Sequence, residues 1–130
     1  MNGPYPNKKN LGKLAIVLHA HLPYVKKNEK NSLEEDWLFQ AILECYIPLL
    51  QVLESSKKKN ANNTKLTLSL SPTLLSLLQN EQIQEKFSSW INTRLGFLKE
   101  LSHKEQCAAK FLIRNIKNNY SYWEKCSGNL

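Results

Sequence analysis

Two histidines one residue apart, His19 and His21, are the side chains of this chain best suited to chemistry. They end an apolar run, Leu14–Leu18, that has the composition of a buried strand, and Pro23 follows them. Alternate residues of a strand point to the same side of a sheet, so we expect both imidazoles to leave the strand together. Functional residues of parallel α/β sheets lie where the strands end. The pair is therefore a candidate binding site.

Zinc binding is one interpretation of such a pair, but the sequence offers few further ligands. Zinc takes three or four protein ligands, and the one other histidine, His103, lies far along the chain. The chain has three cysteines, Cys45, Cys107 and Cys126, and none of them form a CxxC pair. Their odd number also argues against a disulfide framework. We predict reduced thiols, with Cys45 and Cys107 on apolar faces, and no metal site. A structural role for one or both histidines stays open.

The elements around the two histidines are predicted to be β/α units. The first strand is predicted from Lys13 to His19, and Leu66–Ser71 alternates leucine with small hydroxyl residues as a second strand would. Between them a helix is predicted from about Glu34, where negative charge in the first turn suits the helix dipole, with a bend at Pro48. Its predicted core stripe is Trp37, Ala41, Cys45, Leu49 and Val52 or Leu53.

Three more helices are predicted after the second strand. Ser71-Pro72 has the form of an N-cap followed by the first residue of a short helix. Asn80 is predicted to cap a helix over Glu81–Leu101, and a capping box, Ser102–Glu105, to start a last helix that ends near Lys125. The predicted stripes are Ile83, Phe87, Trp90, Ile91, Leu95 and Leu98 in the first of these long helices, and Cys107, Phe111, Ile113, Ile116, Tyr120 and Trp123 in the last.

The net charge of +7 raises the question of nucleic-acid binding, which lysine and arginine patches mediate. However, the basic residues are scattered, apart from a run at Lys57–Lys59 that is interpreted as a solvated loop. No apolar stretch approaches the roughly 18 residues of a membrane helix. Residues 1–12 are interpreted as a flexible lead-in without the apolar core of a secretion signal. We predict no nucleic-acid partner, no membrane association and a cytoplasmic location.

Four blocks of the chain resemble glycoside hydrolase family 57, in particular its α-1,4-glucan branching enzymes. They are Leu14–Val25 (LAIVLHAHLPYV), Asp36–Phe39, Ala41–Leu50 and Leu66–Leu75, in the family's order and close to its spacing. The resemblance implies an α/β fold, a partial (β/α) barrel in which residues 13–130 supply the first two β/α units and a helical segment. A complete barrel takes about 250 residues. The resemblance implies no cofactor.

The same resemblance assigns substrate contacts. His19 and His21 are expected to hydrogen-bond the hydroxyls of glucose, because a neutral imidazole offers one donor and one acceptor. Tyr24 and Trp37 are candidates for stacking on sugar rings, although Trp37 also fits the predicted core stripe. No catalytic residue is predicted here, since the family's glutamate nucleophile and aspartate acid/base lie on later strands.

Glu44, Tyr46 and Ser71 are expected to support the site. Glu44 would brace the histidines by accepting a hydrogen bond from one imidazole, or else lie on the polar face of its helix. A single carboxylate does not make a retaining glycosidase, which needs two about 5–5.5 Å apart. We therefore do not assign Glu44 to catalysis.

Two kinds of function follow from the sequence. The first is the N-terminal part of an α-glucan-active enzyme, a 1,4-α-glucan branching enzyme of carbohydrate metabolism, acting on a glycogen-like or starch-like glucan. These residues would then be inactive alone, and the remainder of the barrel could lie on a separate chain. The alternative is a non-catalytic remnant or split-gene product that serves as a scaffold or binding fragment.

Overall fold

The computed structural model describes residues 14–22, 32–58, 65–101 and 106–126. Two short strands, β1 (Val17–Ala20) and β2 (Thr67–Leu70), alternate with helices in these ranges. The helices are α1 (Leu33–Ala41), α2 (Ile47–Lys58), α3 (Pro72–Leu78), α4 (Glu81–Glu100) and α5 (Gln106–Lys125). A π-helical turn, Ile42–Tyr46, joins α1 to α2, so that Leu33–Lys58 is one continuous helix, here called the long helix.

The two strands form a parallel sheet in which Val17 pairs with Thr67 and Ala20 with Leu70. A parallel pair with a helix in the connection is the β/α arrangement that the sequence predicts. The first strand begins later than predicted, because β2 begins only at Thr67 and, within the described residues, no strand is paired with those before Val17. The sheet is also more exposed than predicted. In the described residues it has two strands, and seven of their eight residues are exposed.

The predicted helix starts at polar caps are confirmed. The Ser71 hydroxyl accepts a hydrogen bond from Leu74 N at 3.3 Å, and the Asn80 side chain accepts one from Gln82 N at 3.0 Å. Each satisfies a backbone donor that the first helical turn leaves unpaired. Ser32 caps α1 in the same way, which places the helix start one residue before the predicted Glu34. The predicted capping box at 102–105 lies outside the described residues.

The core lies between the long helix, α3, α4 and α5. The ring of Phe87 is at its centre, with centroids 5.6 Å from Phe39 and 4.9 Å from Trp123. The stripe predicted for α4 is confirmed, since its members are buried or packed against the core. The buried cluster is Leu38, Phe39, Ile42, Leu43, Ile47, Leu74, Leu77, Ile83, Phe87, Ile91, Ile116 and Trp123.

The residues of the stripe predicted for the long helix do not lie in the core, so that prediction is wrong. Trp37 is 47% exposed, so its alternative role as a core residue is also wrong, and Cys45 is exposed. The helix carries apolar residues on two faces, and the face that includes Leu38 and Phe39 meets α4 and α5. Pro48 has no amide hydrogen for its own helix, and the π-helical turn ends two residues before it, at Tyr46.

Part of the stripe predicted for α5 is wrong for a similar reason. Ala109, Ile116 and Trp123 are buried, at intervals of seven residues that keep them on one helix face. Cys107 and Phe111 do not share that spacing and are exposed. Cys45 and Cys107 were predicted to lie on apolar faces and to be buried like small hydrophobic residues. Both are exposed, so the prediction of burial is wrong.

The prediction that no apolar stretch approaches the length of a membrane helix is wrong: the long helix is long and apolar enough to cross a membrane by length and composition alone, with a mean hydropathy of 1.2 in its most apolar window. A core helix meets the same two criteria, and this one packs Leu38, Phe39 and Ile42 into the core. Absence of membrane association and a cytoplasmic location stay predictions. Lys57 and Lys58 end α2 instead of belonging to the predicted loop, and cations suit a helix C-terminus.

Candidate functional site

The histidine pair, His19 and His21, lies at the C-terminal end of β1. Ala20 and Leu22, which alternate with the histidines, pack against the core, so the two imidazoles emerge on the other side of the strand. The imidazoles are nearly parallel, with centroids 6.2 Å apart and 9° between their planes. The prediction that both leave the strand on one side is confirmed.

His19 is fixed by the neighbouring strand. It lies opposite Ser69 in the parallel register, and its Nδ1 is 3.0 Å from the Ser69 hydroxyl. A hydroxyl can donate or accept here, so this contact is compatible with either neutral form of the imidazole. The small hydroxyl residues of β2 therefore do lie beside the histidines, as the alternation of Leu66–Ser71 predicts.

A groove of about 470 Å³ separates the sheet from the long helix, and we call it the sheet groove. Its lining is largely apolar and comes from both strands, the long helix and α3. Ala41, Cys45 and Leu49 face it, which explains the stripe that the sequence placed in the core. The histidine pair borders the groove, whose lining includes Leu18, Leu68, Leu70, Ala41, Cys45 and Leu49.

Tyr46 also lines the sheet groove, from the π-helical turn of the long helix. Its ring packs against the core and is half-buried. Burial raises the pKa of the Tyr46 phenol, and the neighbouring Cys45 adds to the effect. A phenol that stays protonated is a hydrogen-bond donor at neutral pH.

The first turn of the long helix is tied to α4 by a cluster around Asp36. Its carboxylate accepts hydrogen bonds from Trp90 Nε1 at 2.6 Å, Arg94 Nη2 at 3.0 Å and Gln40 Nε2 at 3.0 Å. The Arg94 guanidinium also stacks over the Trp90 ring at 4.2 Å. Trp90 is thus a polar partner as well as a core ring, which the sequence did not indicate because the partners lie more than 50 residues apart.

A second ion pair lies beside this cluster. Glu35 is buried, and its Oε1 is 2.5 Å from Lys86 Nζ. A buried carboxylate needs such a partner, because loss of hydration is costly for an unpaired charge. These contacts set the position of the helix turn that carries Trp37.

Trp37 is placed one helical turn before Ala41, on the face that borders the sheet groove. Its exposed ring is accessible to a ligand. Glu44, in contrast, lines a different groove, between the long helix, α4 and α5. The structure places His19 beside Ser69 and Glu44 among α4 and α5 residues, so bracing of the histidines by Glu44 stays a prediction.

Ser71 and Tyr24 are the two remaining residues that the sequence assigns to the site. Ser71 is the N-cap of α3, directly after β2, and its supporting role at the site stays a prediction. Tyr24 lies outside the described residues. Within the described ranges, no group of three or more His, Cys, Asp and Glu residues could hold a metal ion, and His103 lies outside those ranges.

What the site offers chemically is hydrogen bonding and apolar contact. Two parallel imidazoles and a hydroxyl present donors and acceptors on one side of the sheet, and Ala20, Leu68 and Leu70 line the apolar sheet groove on the other side. The described residues that line the groove include no carboxylate. The side that carries the imidazoles fits a hydroxyl-rich ligand.

Residues 15–130 match the model of glycosyl hydrolase family 57, and the chain belongs to that family. It is 29% identical over 122 residues to a 1,4-alpha-glucan branching enzyme of Thermococcus kodakarensis, an alignment that takes in 92% of this chain and 18% of the relative. The fold is similar to that of a GH57-type branching enzyme from Pyrococcus horikoshii, with a TM-score of 0.82 and 37% identity over 91% of this chain and 23% of the other.

An alpha-amylase of Thermotoga maritima, AmyC, is also similar, with a TM-score of 0.75 and 32% identity. This alignment again covers 91% of this chain and 23% of the other. The chain thus spans about a fifth of the length of the relatives that it matches, and it corresponds to the N-terminal part of the branching enzymes.

Proposed function

We propose that this chain is the N-terminal part of an α-glucan-active enzyme of the 1,4-α-glucan branching type, in which the histidine pair contacts glucan hydroxyls. The observation that carries the proposal is the parallel pair of imidazoles at the end of β1, with His19 held by Ser69. Fixing a side chain before binding reduces the entropy lost on binding. The solved structure of the Thermococcus branching enzyme in complex with glucose supports the ligand class.

The proposed fold of the whole enzyme is a (β/α) barrel that begins with β1 and β2. The two strands are parallel, with a helix in their connection, as in such barrels. In the described residues each strand pairs only with the other, which leaves one edge of each for further strands. The remainder of the barrel, on the same or a separate chain, is the proposed partner.

The proposed chemistry is glucan transfer with retention. A carboxylate attacks the anomeric carbon of an α-1,4 linkage, and the bond to the 4-oxygen breaks as that oxygen takes a proton from the acid/base. The glycosyl group is then passed from the carboxylate to a 6-hydroxyl, which returns a proton to the acid/base and makes an α-1,6 branch. This double displacement needs a nucleophile and an acid/base. We propose that both lie beyond these 130 residues, that no cofactor takes part, and that the histidine pair positions the sugar.

Turnover of amylose tests the division of labour. The purified 130-residue chain should neither change iodine staining nor release reducing ends, because the proposed carboxylate pair is not in it. A longer chain from the same gene that includes the later strands should do one or both. Turnover by the short chain that survives repurification would contradict the proposal.

The histidine pair is tested in such a longer chain. Replacing His19 and His21 together with alanine should raise KM or lower kcat while the melting temperature changes little. Val17→Ala is a matched control, since it alters the same strand at an exposed position without removing a polar group, and Val17 does not line the sheet groove. A large stability loss with unchanged kinetics would show a structural role. Glucan binding by the 130-residue chain, with no active longer chain, would instead favour the binding-fragment alternative.

A further inference from the structure

An apolar face of the molecule lies at α4 and α5, and we call it the α4–α5 face. A groove of about 600 Å³ at its centre lies between the long helix and these two helices. Among the described residues, none of β1 or β2 lines this groove, so the face is separate from the histidine pair and from the sheet groove. The apolar residues that line it are Leu43, Pro48, Phe97, Leu98, Leu112 and Ile116.

Much of this apolar surface is open to water. Phe97 and Phe111 are each 65% exposed, and Leu112 is 46% exposed. Phe111 stands about one helical turn before Asn115, which lines the groove, so it extends the face along α5. Single exposed apolar residues are common on protein surfaces, whereas several large ones side by side mark a contact with another protein surface.

The α5 side of the face is basic. Lys110 directly precedes Phe111 and Arg114 lies about one turn after it, and both are exposed. The one acidic residue of α5, Glu124, lies near the C-terminal end of that helix. Charges on the two sides of a protein interface are complementary, so the surface that covers this side should carry carboxylates. A second copy fits poorly, because a two-fold interface brings the same basic residues of both copies together.

The length of the relatives indicates what covers the face. The chain corresponds to the N-terminal part of the branching enzymes and spans 18% of the Thermococcus enzyme and 23% of the Pyrococcus enzyme. Strands added beside β1 and β2 would extend the sheet, and the described strands do not border this groove. Added strands therefore leave the face open, and another element of the longer chain is needed to cover it.

We propose that the α4–α5 face is an interface with the part of the enzyme that follows these residues, and that this part presents apolar side chains among carboxylates. The inference rests on the proposed function, which places the chain in a longer enzyme. It adds a contact outside the sheet, in which Phe97, Phe111 and Leu112 are covered by an element other than the barrel strands. Rings that face water here would then be buried, and burial of apolar surface stabilises the longer chain.

The same replacement in two chain lengths tests the interface. Phe97→Ser should change the melting temperature of the 130-residue chain by less than about 2 °C, because most of the ring already faces water and the two residues have similar helix propensities. In the longer chain that includes the later strands, it should lower the melting temperature by at least about 4 °C. Asn92→Ser, at an exposed position of the same helix, is the matched control and should have the same small effect in both chains.

A charge reversal tests the chemistry of the covering surface. Arg114→Glu should lower the melting temperature of the longer chain more than that of the 130-residue chain, because the new carboxylate would face other carboxylates. Arg114→Lys keeps the charge and should restore the melting temperature of the longer chain. Equal effects of Arg114→Glu in both chains would overturn the assignment of carboxylates to the partner surface.

The outcomes separate this interface from the proposed function. Equal effects of Phe97→Ser in the two chains overturn the interface, and the proposed function stands if the longer chain still turns over amylose. A larger effect in a longer chain that has no turnover supports the interface and contradicts the proposed function. The interface is also overturned if Phe97→Ser abolishes self-association of the longer chain, since the face would then bind a second copy.

Discussion

The hydrogen bond from Asn119 to the Leu43 carbonyl repairs a defect that Pro48 creates in the long helix. In the π-helical turn the amide of Ile47 donates to the Ile42 carbonyl. The next donor along the chain would serve Leu43, but residue 48 is proline and has no amide hydrogen. Leu43 is only 3% exposed, so water has little access to it. The Asn119 side chain of α5 supplies the donor instead, at 3.0 Å.

Asn119→Ala should therefore destabilise the fold by about 1–3 kcal/mol, the usual cost of leaving a buried polar group without its partner. The measurement is urea unfolding followed by circular dichroism at 222 nm, with the m value compared to confirm an unchanged transition. Asn118→Ala, on the neighbouring exposed position, is the matched control and should change stability by less than about 0.5 kcal/mol.

A double-mutant cycle with Pro48→Ala isolates the mechanism. Alanine at 48 restores a backbone donor, so Asn119→Ala should cost less in that background, with a coupling energy of about 0.5–2 kcal/mol. Equal costs of Asn119→Ala in the two backgrounds would refute the reasoning, because the asparagine would then stabilise the fold independently of the proline.

Three further predictions follow from exposed features of the structure. Gly96→Ala should raise stability by about 0.4–1 kcal/mol in thermal or urea unfolding, since the glycine is inside α4 and the added methyl group meets nothing within 4 Å; a loss of stability would contradict this. The Tyr122 hydroxyl donates to Glu54 at 2.8 Å, which raises its pKa to about 12 from 10.0, so the unfolded chain loses this proton first. Stability should be full below pH 10 and fall as the pH rises towards 12, less steeply in Tyr122→Phe; identical profiles would exclude the linkage. The 130-residue chain should bind a dye for apolar surface or associate with increasing concentration. Leu18, Leu68 and Leu70 are about 40% exposed, and in the described residues the outer edges of their strands are unpaired. A protein that stays monomeric at all concentrations and does not bind the dye would contradict this.

Local signals in the sequence determined much of the secondary structure. Ser71-Pro72 and Asn80 predict two helix starts correctly, because an N-cap needs only a side-chain oxygen within three residues of the donor that it satisfies. The stripe of α4 is also predicted correctly, since its apolar residues fall on one helix face. The spacing of His19 and His21 likewise predicts their common side, because a strand repeats every two residues.

The tertiary structure alone decided which face of the long helix is buried. Trp37, Ala41 and Cys45 form as regular a stripe as Leu38, Phe39 and Ile42, and periodicity cannot choose between two apolar faces. Packing against α4 and α5 buried the second set, and the first set was left to border the sheet groove or solvent.

The sequence also could not predict two sets of polar contacts. These are the cluster of Asp36 with Trp90 and Arg94, and the hydrogen bond from Asn119 to the Leu43 carbonyl. Each joins groups more than 50 residues apart, and no local pattern marks such partners. The sequence by itself determined the family, the strand-end histidines and the helix caps, because these depend on neighbouring residues. The choice of core face and the pairing of distant polar groups depend on how the helices pack, and only the folded chain decides them.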